Sequence, residues 1–228
     1  MFDDQLITHP IQKYILKILT HQKYARFRDM KKPNVDSNLY SYHLRTVVRK
    51  DFVEKTNKGY KLTSKGLMYA DNISWENQNP RIQPKVTTTI LLKNHKNEIL
   101  LTKRDRQPFI ACWNFPSGKI HLSDVCLADA ASRELSEKIG LNIAEEDFSR
   151  VGEAYVRVIS GDSAVSYVFT HIFVVKIKHD FIPENAFWTN AVWRKSNKLA
   201  PAVDDIINLE KTRKKPFFVE LNYEINPN

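Results

Sequence analysis

Charged residues in the segment 118–141 combine types and spacing that could do chemistry. Arg133, Glu134 and Glu137 stand close together on one predicted helix, shortly after a Trp-Asn-Phe-Pro turn. At about 100° per residue, an apolar stripe on this helix consists of Leu127, Ala131 and Leu135. Glu134 falls close to that stripe. A cluster of carboxylates on one short helix is what divalent-metal chemistry on a diphosphate requires.

The position of Glu134 predicts a partner for its carboxylate. Burying a carboxylate without one costs several kcal/mol, so a metal, an arginine or a shifted pKa is implied. The alternative is an ordinary surface ion pair between Glu134 and Lys138, which are four residues apart and would gain roughly 0.3–0.5 kcal/mol.

The run R-E-L-S-E-K-I-G-L at residues 133–141 resembles the second half of the Nudix box of the Nudix hydrolase family, G-x5-E-x7-R-E-U-x-E-E-x-G-U, where U is apolar. Upstream, I-L-L-T-K-R at 99–104 and C-W-N-F-P-S-G-K at 112–119 look like the strand and turn that precede the box in that family. The matching segments cover about residues 86–142. Downstream, Gly140 is a helix stop.

This resemblance implies roles for the charged residues. Glu134 and Glu137 align with the carboxylates that hold Mg²⁺ and orient or deprotonate a water, which attacks a phosphorus of a nucleoside diphosphate linked to another group. Arg133 would anchor these carboxylates through a bidentate contact. The catalytic candidates are therefore Arg133, Glu134 and Glu137, and the metal candidates are Glu134 and Glu137.

The chain departs from the box at several positions. Ser117 replaces the usual first glycine, Asp124 stands at the outer acidic position, and eight residues rather than seven separate Asp124 from Arg133. The departure that matters most is Lys138, which occupies the last position of the Glu-Glu pair. An ammonium ~4 Å from a metal repels it by several kcal/mol, so we expect Mg²⁺ binding to be weak or absent. The same ammonium could attract a diphosphate directly.

Other residues are candidates for contacting the ligand. Gly118 would let the backbone approach the diphosphate beside Lys119, and Arg104 or Arg106 could meet a further phosphate. Stacking on a base could involve Trp113, Phe115, Tyr155 or Phe169, with core packing as the alternative for each. The ligand-binding candidates are Gly118, Lys119, Arg104, Arg106, Trp113 and Lys138. For a distant acidic metal ligand, the sequence does not choose between Glu153 and Glu184.

Length and charge distribution suggest two domains with different partners. The chain has 228 residues, of which 42% are hydrophobic, and a net charge of +9. Residues 1–80 hold 14 Lys and Arg against 8 Asp and Glu, a net of +6, and so carry most of that excess. Such asymmetry suggests a polyanionic partner for the first segment. The sequence shows no apolar run long enough to span a membrane and no signal peptide, so we expect a cytoplasmic protein.

The first segment resembles the winged helix-turn-helix domains of bacterial and archaeal regulators. Amphipathic periodicity predicts helices at 10–19, around 24–30 and after Asp36, followed by two short strands around the turn 56–59. This resemblance implies duplex DNA binding, with dimerisation or scaffolding as the alternative. A recognition helix needs exposed polar and cationic side chains. The candidates are Asn38, Ser41, Tyr42, Arg45, Arg49 and, in the turn, Lys58.

These observations predict an α+β chain: a winged helix-turn-helix followed by a Nudix-like α/β/α sandwich with a mixed sheet. We place the first domain at residues 1–72, a linker at 73–84 and the second domain at 85–228. One function they suggest is a transcription regulator, a homodimer whose Nudix domain binds a nucleotide metabolite of ADP-ribose or sugar-nucleotide type with weak or no hydrolysis. The alternative is an active Mg²⁺-dependent hydrolase of nucleoside diphosphate-linked compounds.

Overall fold

The computed structural model describes residues 7–73, 83–178 and 185–225. The chain divides into two compact units, residues 1–82 and 83–228, and each is considered by itself. No helix within the described ranges is long and apolar enough to cross a membrane.

The first unit consists of helices with one hairpin. Its elements are α1 (Pro10–His21), α2 (Phe27–Met30), α3 (Ser37–Arg49), β1 (Val53–Thr56), β2 (Gly59–Leu62) and α4 (Ser64–Asn72). Helix α1 begins with Pro10 at a position where its missing N–H costs nothing. Helix α3 begins after Asp36, whose carboxylate accepts hydrogen bonds from the Asn38 and Leu39 N–H groups at 2.8 and 3.0 Å. The predicted order of three helices and a hairpin is confirmed, whereas α4 was not predicted.

The inner face of α3 anchors this unit. Tyr40, Leu44 and Val47 are buried, and the Tyr40 hydroxyl donates a 2.6 Å hydrogen bond to the carbonyl of Met30. The hairpin lies against the chain before α2, because Ala25 forms a β-bridge with Tyr60. Gly59, with a φ of +124°, allows this approach, since a Cβ there would stand 2.6 Å from the Ala25 carbonyl oxygen.

The second unit is built on one eight-stranded mixed sheet. Its strands are β3 (Lys85–Lys93), β4 (Ile99–Lys103), β5 (Trp113–Asn114), β6 (Ser117–Lys119), β7 (Ser149–Ser160), β8 (Ser163–Lys176), β9 (Ala186–Thr189) and β10 (Phe217–Glu224). Its helices are α5 (Leu127–Ile139), a 3₁₀ turn (Glu145–Asp147), α6 (Ala191–Lys195) and α7 (Val203–Thr212).

The strand order is β10-β7-β8-β3-β4-β5, with β6 also paired to β3 and β9 to β4. Strands β3 and β8 run parallel, as do β10 and β7, while β7 and β8 form a long antiparallel pair. A tight turn after Ser160 joins β7 to β8 at Ser163.

A hydrophobic core covers each face of this sheet. One contains Leu91, Ile172 and residues of α7 such as Ile206, and the other contains Ile90, Phe173 and the stripe residue Leu135 of α5. The sheet therefore lies between α5 and α7, which confirms the predicted sandwich. Among the elements that were not predicted are β9, α6 and β10.

Candidate ligand-binding cavity

Helix α5 places the box carboxylate against the packed side of the helix. It begins after Cys126 and ends at Gly140, which is left-handed with a φ of 70°. Glu134 is only 4% exposed, and its Oε1 accepts a 3.0 Å hydrogen bond from Arg133. Within the described part of the chain, no ion pair joins Glu134 to Lys138, which is exposed. The partner that the burial of Glu134 requires is therefore an arginine.

Arg133 organises the acidic side chains around it. Its guanidinium donates from Nε and Nη2 to both carboxylate oxygens of Asp124 at 2.8 and 2.9 Å, and from Nη1 to Glu137 at 3.3 Å. Nη2 also donates to the Lys119 carbonyl at 3.0 Å, which ties α5 to β6. The Arg133 hydrogen bond lowers the pKa of Asp124 to about 2, and Asp124 in turn raises the pKa of Arg133. Asp124 thus holds the arginine in place.

Gly118 provides the space that the Glu134 carboxylate occupies. It lies on β6 opposite Thr88 of β3. A Cβ added at Gly118 would lie 1.8 Å from the Glu134 Cδ and Oε1 atoms and 2.0 Å from its Oε2. Any side chain at this position would displace that carboxylate.

An open cavity of about 560 Å³ lies beside this network. Its described lining contains two carboxylates, Glu134 and Glu137. It contains five cationic side chains: Lys85, Arg104, Arg106, Lys119 and Lys138. Its other lining includes Val156, Val168, Pro201 and Ile206. Of the predicted ligand-binding residues, the structure therefore brings together Gly118, Lys119, Arg104, Arg106 and Lys138.

Trp113 is not among the lining residues of the cavity. Its ring packs edge-on against Trp193, with centroids 5.0 Å apart, next to the hydrophobic core. Phe115, which is 3% exposed, does line the cavity.

Strand alternation explains two further absences from the cavity lining. Val156 and Val168 face the cavity, so the adjacent Tyr155 and Phe169 point to the opposite face of the sheet.

The distant acidic candidates do not complete a metal site. Glu153 is absent from the cavity lining. Its Oε1 lies 3.2 Å from Nη1 of Arg150 and 3.6 Å from Nδ1 of His171. Glu184 lies outside the described residues. Glu134 and Glu137 both accept hydrogen bonds from Arg133. No group of three or more His, Cys, Asp or Glu residues within the described ranges could hold a metal ion. Glu134 and Glu137 are thus the two described lining carboxylates that could contact a divalent cation, which would need substrate phosphates as further ligands, and both are already hydrogen-bonded to Arg133.

One polar wall of the cavity was not predicted from the sequence. Lys85, Thr87 and Thr89 alternate on β3, and all three line the cavity together with Thr170 of β8. The Thr89 and Thr170 hydroxyls lie 2.8 Å apart. The available signal was the K-V-T-T-T run at residues 85–89, because Lys85, Thr87 and Thr89 share one face of an extended strand.

Five of the six predicted DNA-contacting residues belong to α3, and the sixth, Lys58, lies between β1 and β2. Asn38, Tyr42, Arg45 and Arg49 are exposed on α3, and Ser41 is half-buried. Lys58, in the hairpin turn, is exposed with its ammonium 5.6 Å from the centre of the Tyr24 ring.

Comparison with known proteins concerns the second unit. The sequence model of the family described as NUDIX domain matches residues 83–208, more than half of the chain. No curated protein sequence matches significantly. Among solved structures, the NUDIX domain of Shewanella oneidensis NrtR complexed with ADP ribose is 17% identical, with 67% of this chain and 99% of that chain covered and a TM-score of 0.49.

Two other solved structures are similar at the same level. A NUDIX hydrolase from Nitrosomonas europaea is 17% identical, with 66% of this chain and 86% of that chain covered and a TM-score of 0.47. A second structure of Shewanella oneidensis NrtR is 18% identical, with 56% and 62% covered and a TM-score of 0.46. These similarities are too low to transfer a ligand or an activity.

Proposed function

Because the chain belongs to the Nudix family, we propose that its cavity binds a nucleotide metabolite of ADP-ribose or sugar-nucleotide type with weak or no hydrolysis. We propose in addition that the first unit binds duplex DNA, so that the protein is a transcription regulator. One observation carries the proposal: five cationic side chains line the cavity against two carboxylates, and both carboxylates are hydrogen-bonded to Arg133.

The size and lining of the cavity support a nucleotide rather than a small inorganic ion. Its volume of about 560 Å³ lies within the ~300–1,000 Å³ typical of small-molecule sites. Cationic groups suit the phosphates, and the apolar side chains of Val156, Val168 and Ile206 suit a base or the carbon face of a sugar. A ligand with both a diphosphate and an apolar ring matches this division.

Weak hydrolysis follows from the residue at the last box position. Lys138 lines the cavity where the family pattern has a carboxylate. Its ammonium adds positive charge where a divalent cation would have to sit, so Mg²⁺ affinity and any Mg²⁺-dependent turnover should both be low.

DNA binding is supported by the charge and shape of the first unit. Residues 1–80 carry a net charge of +6, and the exposed face of α3 presents Arg45 and Arg49 beside polar side chains. Arginine and asparagine can read base edges in a major groove, while serine and tyrosine contact phosphates. Regulators of this shape bind paired half-sites as dimers, so a homodimer is part of the proposal.

An active hydrolase is the second candidate. Glu134 and Glu137 both line the cavity, so the acidic groups that the family uses remain next to the proposed phosphate position. The hydrogen bonds that both carboxylates accept from Arg133 make them less available to a metal, which counts against the hydrolase. Both side chains nevertheless remain in the cavity lining.

The test is a ligand screen on the full chain. Thermal unfolding would be followed with ADP-ribose, ADP, UDP-glucose and ribose 5-phosphate, each with Mg²⁺ and with EDTA, and hydrolysis would be measured in the same samples. The proposal expects stabilisation by at least one diphosphate compound and turnover far below the ~10 per second of a typical enzyme. A Mg²⁺-dependent rate near that value, abolished by Glu134→Gln, would establish the hydrolase. No stabilisation by any diphosphate would refute both candidates.

A further inference from the structure

We propose that the phosphates of the ligand are held directly by a basic triad, Lys85, Arg104 and Lys119, without a bridging divalent cation. This inference deepens the proposed function and rests on it, because it assigns the groups that would anchor the diphosphate. It differs from binding through a metal on the box carboxylates.

Strand pairing brings two members of the basic triad together. Lys119 on β6 stands opposite Thr87 on β3, and Lys85 is two residues before Thr87 on the same strand. Both lysines line the cavity. Diagonal neighbours of this kind lie roughly 7–8 Å apart at their backbones, which is within reach of long side chains that converge on one ligand.

Arg104 completes the triad from the loop after β4. Its Nε donates a 3.0 Å hydrogen bond to the carbonyl of Pro108, so part of the guanidinium is fixed by the loop. Among the described residues, no acceptor is hydrogen-bonded to Nη1 or Nη2 of Arg104. Arg104 lines the same cavity as the two lysines. A planar guanidinium held at one edge suits recognition of a phosphate.

The ion pairs of the described residues do not involve the triad: none of them joins Lys85, Arg104 or Lys119 to a carboxylate. Lys85 donates a hydrogen bond to the Ser166 hydroxyl, at 3.3 Å. Its pKa lies below the ordinary value because its surroundings desolvate the ammonium and because Lys119 and Arg104 add like charge. Three unpaired cations around one cavity repel each other, and a bound polyanion would remove that repulsion.

The box carboxylates have the opposite effect on an anion. Glu134 and Glu137 share the Nη1 group of Arg133, and that arginine also holds Asp124. Three carboxylates around one guanidinium leave net negative charge on this side of the cavity. A diphosphate without a metal would be repelled there and attracted to the triad and Lys138.

The two modes of binding make opposite predictions for Glu137→Gln. If a metal on the carboxylates held the diphosphate, removing Glu137 would weaken binding. If the basic triad holds it without a metal, removing that negative charge tightens binding. Glu137 is half exposed, with 53% of its side chain accessible, so the variant should fold normally.

The experiment is calorimetric titration of ADP-ribose and of inorganic pyrophosphate into the full chain, in EDTA and in Mg²⁺. Lys85→Gln and Lys119→Gln should each weaken binding in EDTA by roughly 10- to 100-fold, the usual worth of a hydrogen bond to a charged group. Lys211→Gln is the matched control: it removes the same charge from an exposed residue of α7 outside the cavity lining, and should leave the affinity unchanged.

The outcomes separate the two proposals. Binding that persists in EDTA, weakens in both triad variants and tightens in Glu137→Gln supports the triad. Binding that requires Mg²⁺ and weakens in Glu137→Gln overturns the triad but leaves nucleotide binding intact. Equal loss in Lys211→Gln and the triad variants also overturns the triad, because the effect would then be general electrostatics. Absence of binding by either probe in both buffers overturns the proposed function itself.

Discussion

Replacing Gly118 by alanine should disturb the cavity through one identifiable collision. The new Cβ would stand 1.8 Å from the Cδ and Oε1 atoms of Glu134, far inside van der Waals contact. The φ of Gly118 is not in the left-handed region, so backbone strain does not contribute. The carboxylate must therefore move, and it can do so only by leaving Arg133 or by shifting β6.

The expected cost follows from what Glu134 loses. Its carboxylate is buried and accepts a 3.0 Å hydrogen bond from Arg133. A hydrogen bond to a charged group contributes about 1.5–3 kcal/mol, so Gly118→Ala should lower the free energy of unfolding of the second unit by about that amount. Arg133 keeps its two bonds to Asp124, which argues against a larger loss.

The assay is urea unfolding of the full chain in a Trp75→Phe background, followed by tryptophan fluorescence. Three of the four tryptophans, Trp113, Trp188 and Trp193, belong to the second unit, and removing Trp75 of the first unit makes the signal specific to the second. A double-mutant cycle supplies the decisive comparison. In a Glu134→Ala background the obstructing carboxylate is gone, so Gly118→Ala should cost little.

Gly161→Ala is the control for this cycle. Gly161 has a φ of +56° with no atom near its missing side chain, so alanine there costs only the ~1–2 kcal/mol of backbone strain. That cost should be the same with and without Glu134→Ala. The reasoning is refuted if Gly118→Ala costs as much in the Glu134→Ala background as in the native chain.

Three further predictions concern DNA, metal and acid. DNA affinity should fall with rising salt. Arg45→Gln should reduce the magnitude of the log–log salt slope by about 0.9 per lost phosphate contact, or relax the sequence preference if Arg45 reads a base. Anisotropy titrations would check both effects, and an equal change in Lys211→Gln would contradict the assignment. Lys138→Glu should raise Mg²⁺ affinity at least about tenfold by calorimetry; unchanged affinity would mean that this charge does not exclude the metal. The Arg133 hydrogen bond lowers the Asp124 pKa to about 2, below the unfolded value, so its stabilisation is present above pH ~4 and is lost as the pH falls through about 2. Urea midpoints between pH 5 and pH 2.5 should therefore fall less steeply in Asp124→Asn, and an identical fall would refute the assignment.

Periodicity and capping made the box helix predictable. The stripe Leu127, Ala131 and Leu135 fixes which face packs, and Gly140 ends the helix. The same pattern predicted that Glu134 needs a partner, and the family resemblance named Arg133 as the residue that anchors the carboxylates. The bidentate contact of Arg133 with Asp124 was not predicted, because a loop brings Asp124 to within 2.8 Å of the guanidinium.

Strand faces were harder to read from the sequence. Trp113 was predicted to contact the ligand because it lies beside the box in sequence, but its ring packs on Trp193. That partner belongs to α6, which was not predicted. From Phe217 onward, strand β10 alternates buried or half-buried residues with exposed ones, a signal that was present but short and isolated. The closeness of Lys85 and Lys119 in the basic triad depends on the register between β3 and β6. A register is set by the pairing of two strands, so it could not be read from the sequence of either strand alone.

The central claim is that the cavity binds a diphosphate and hydrolyses it weakly or not at all. The most direct test is ³¹P NMR of ADP-ribose mixed with an equal amount of the full chain in Mg²⁺-containing buffer. The account predicts that the two diphosphate resonances broaden or shift while phosphomonoester resonances grow slowly over hours or do not appear. Rapid growth of the resonances of AMP and ribose 5-phosphate would contradict it, and so would diphosphate resonances that the protein leaves unchanged.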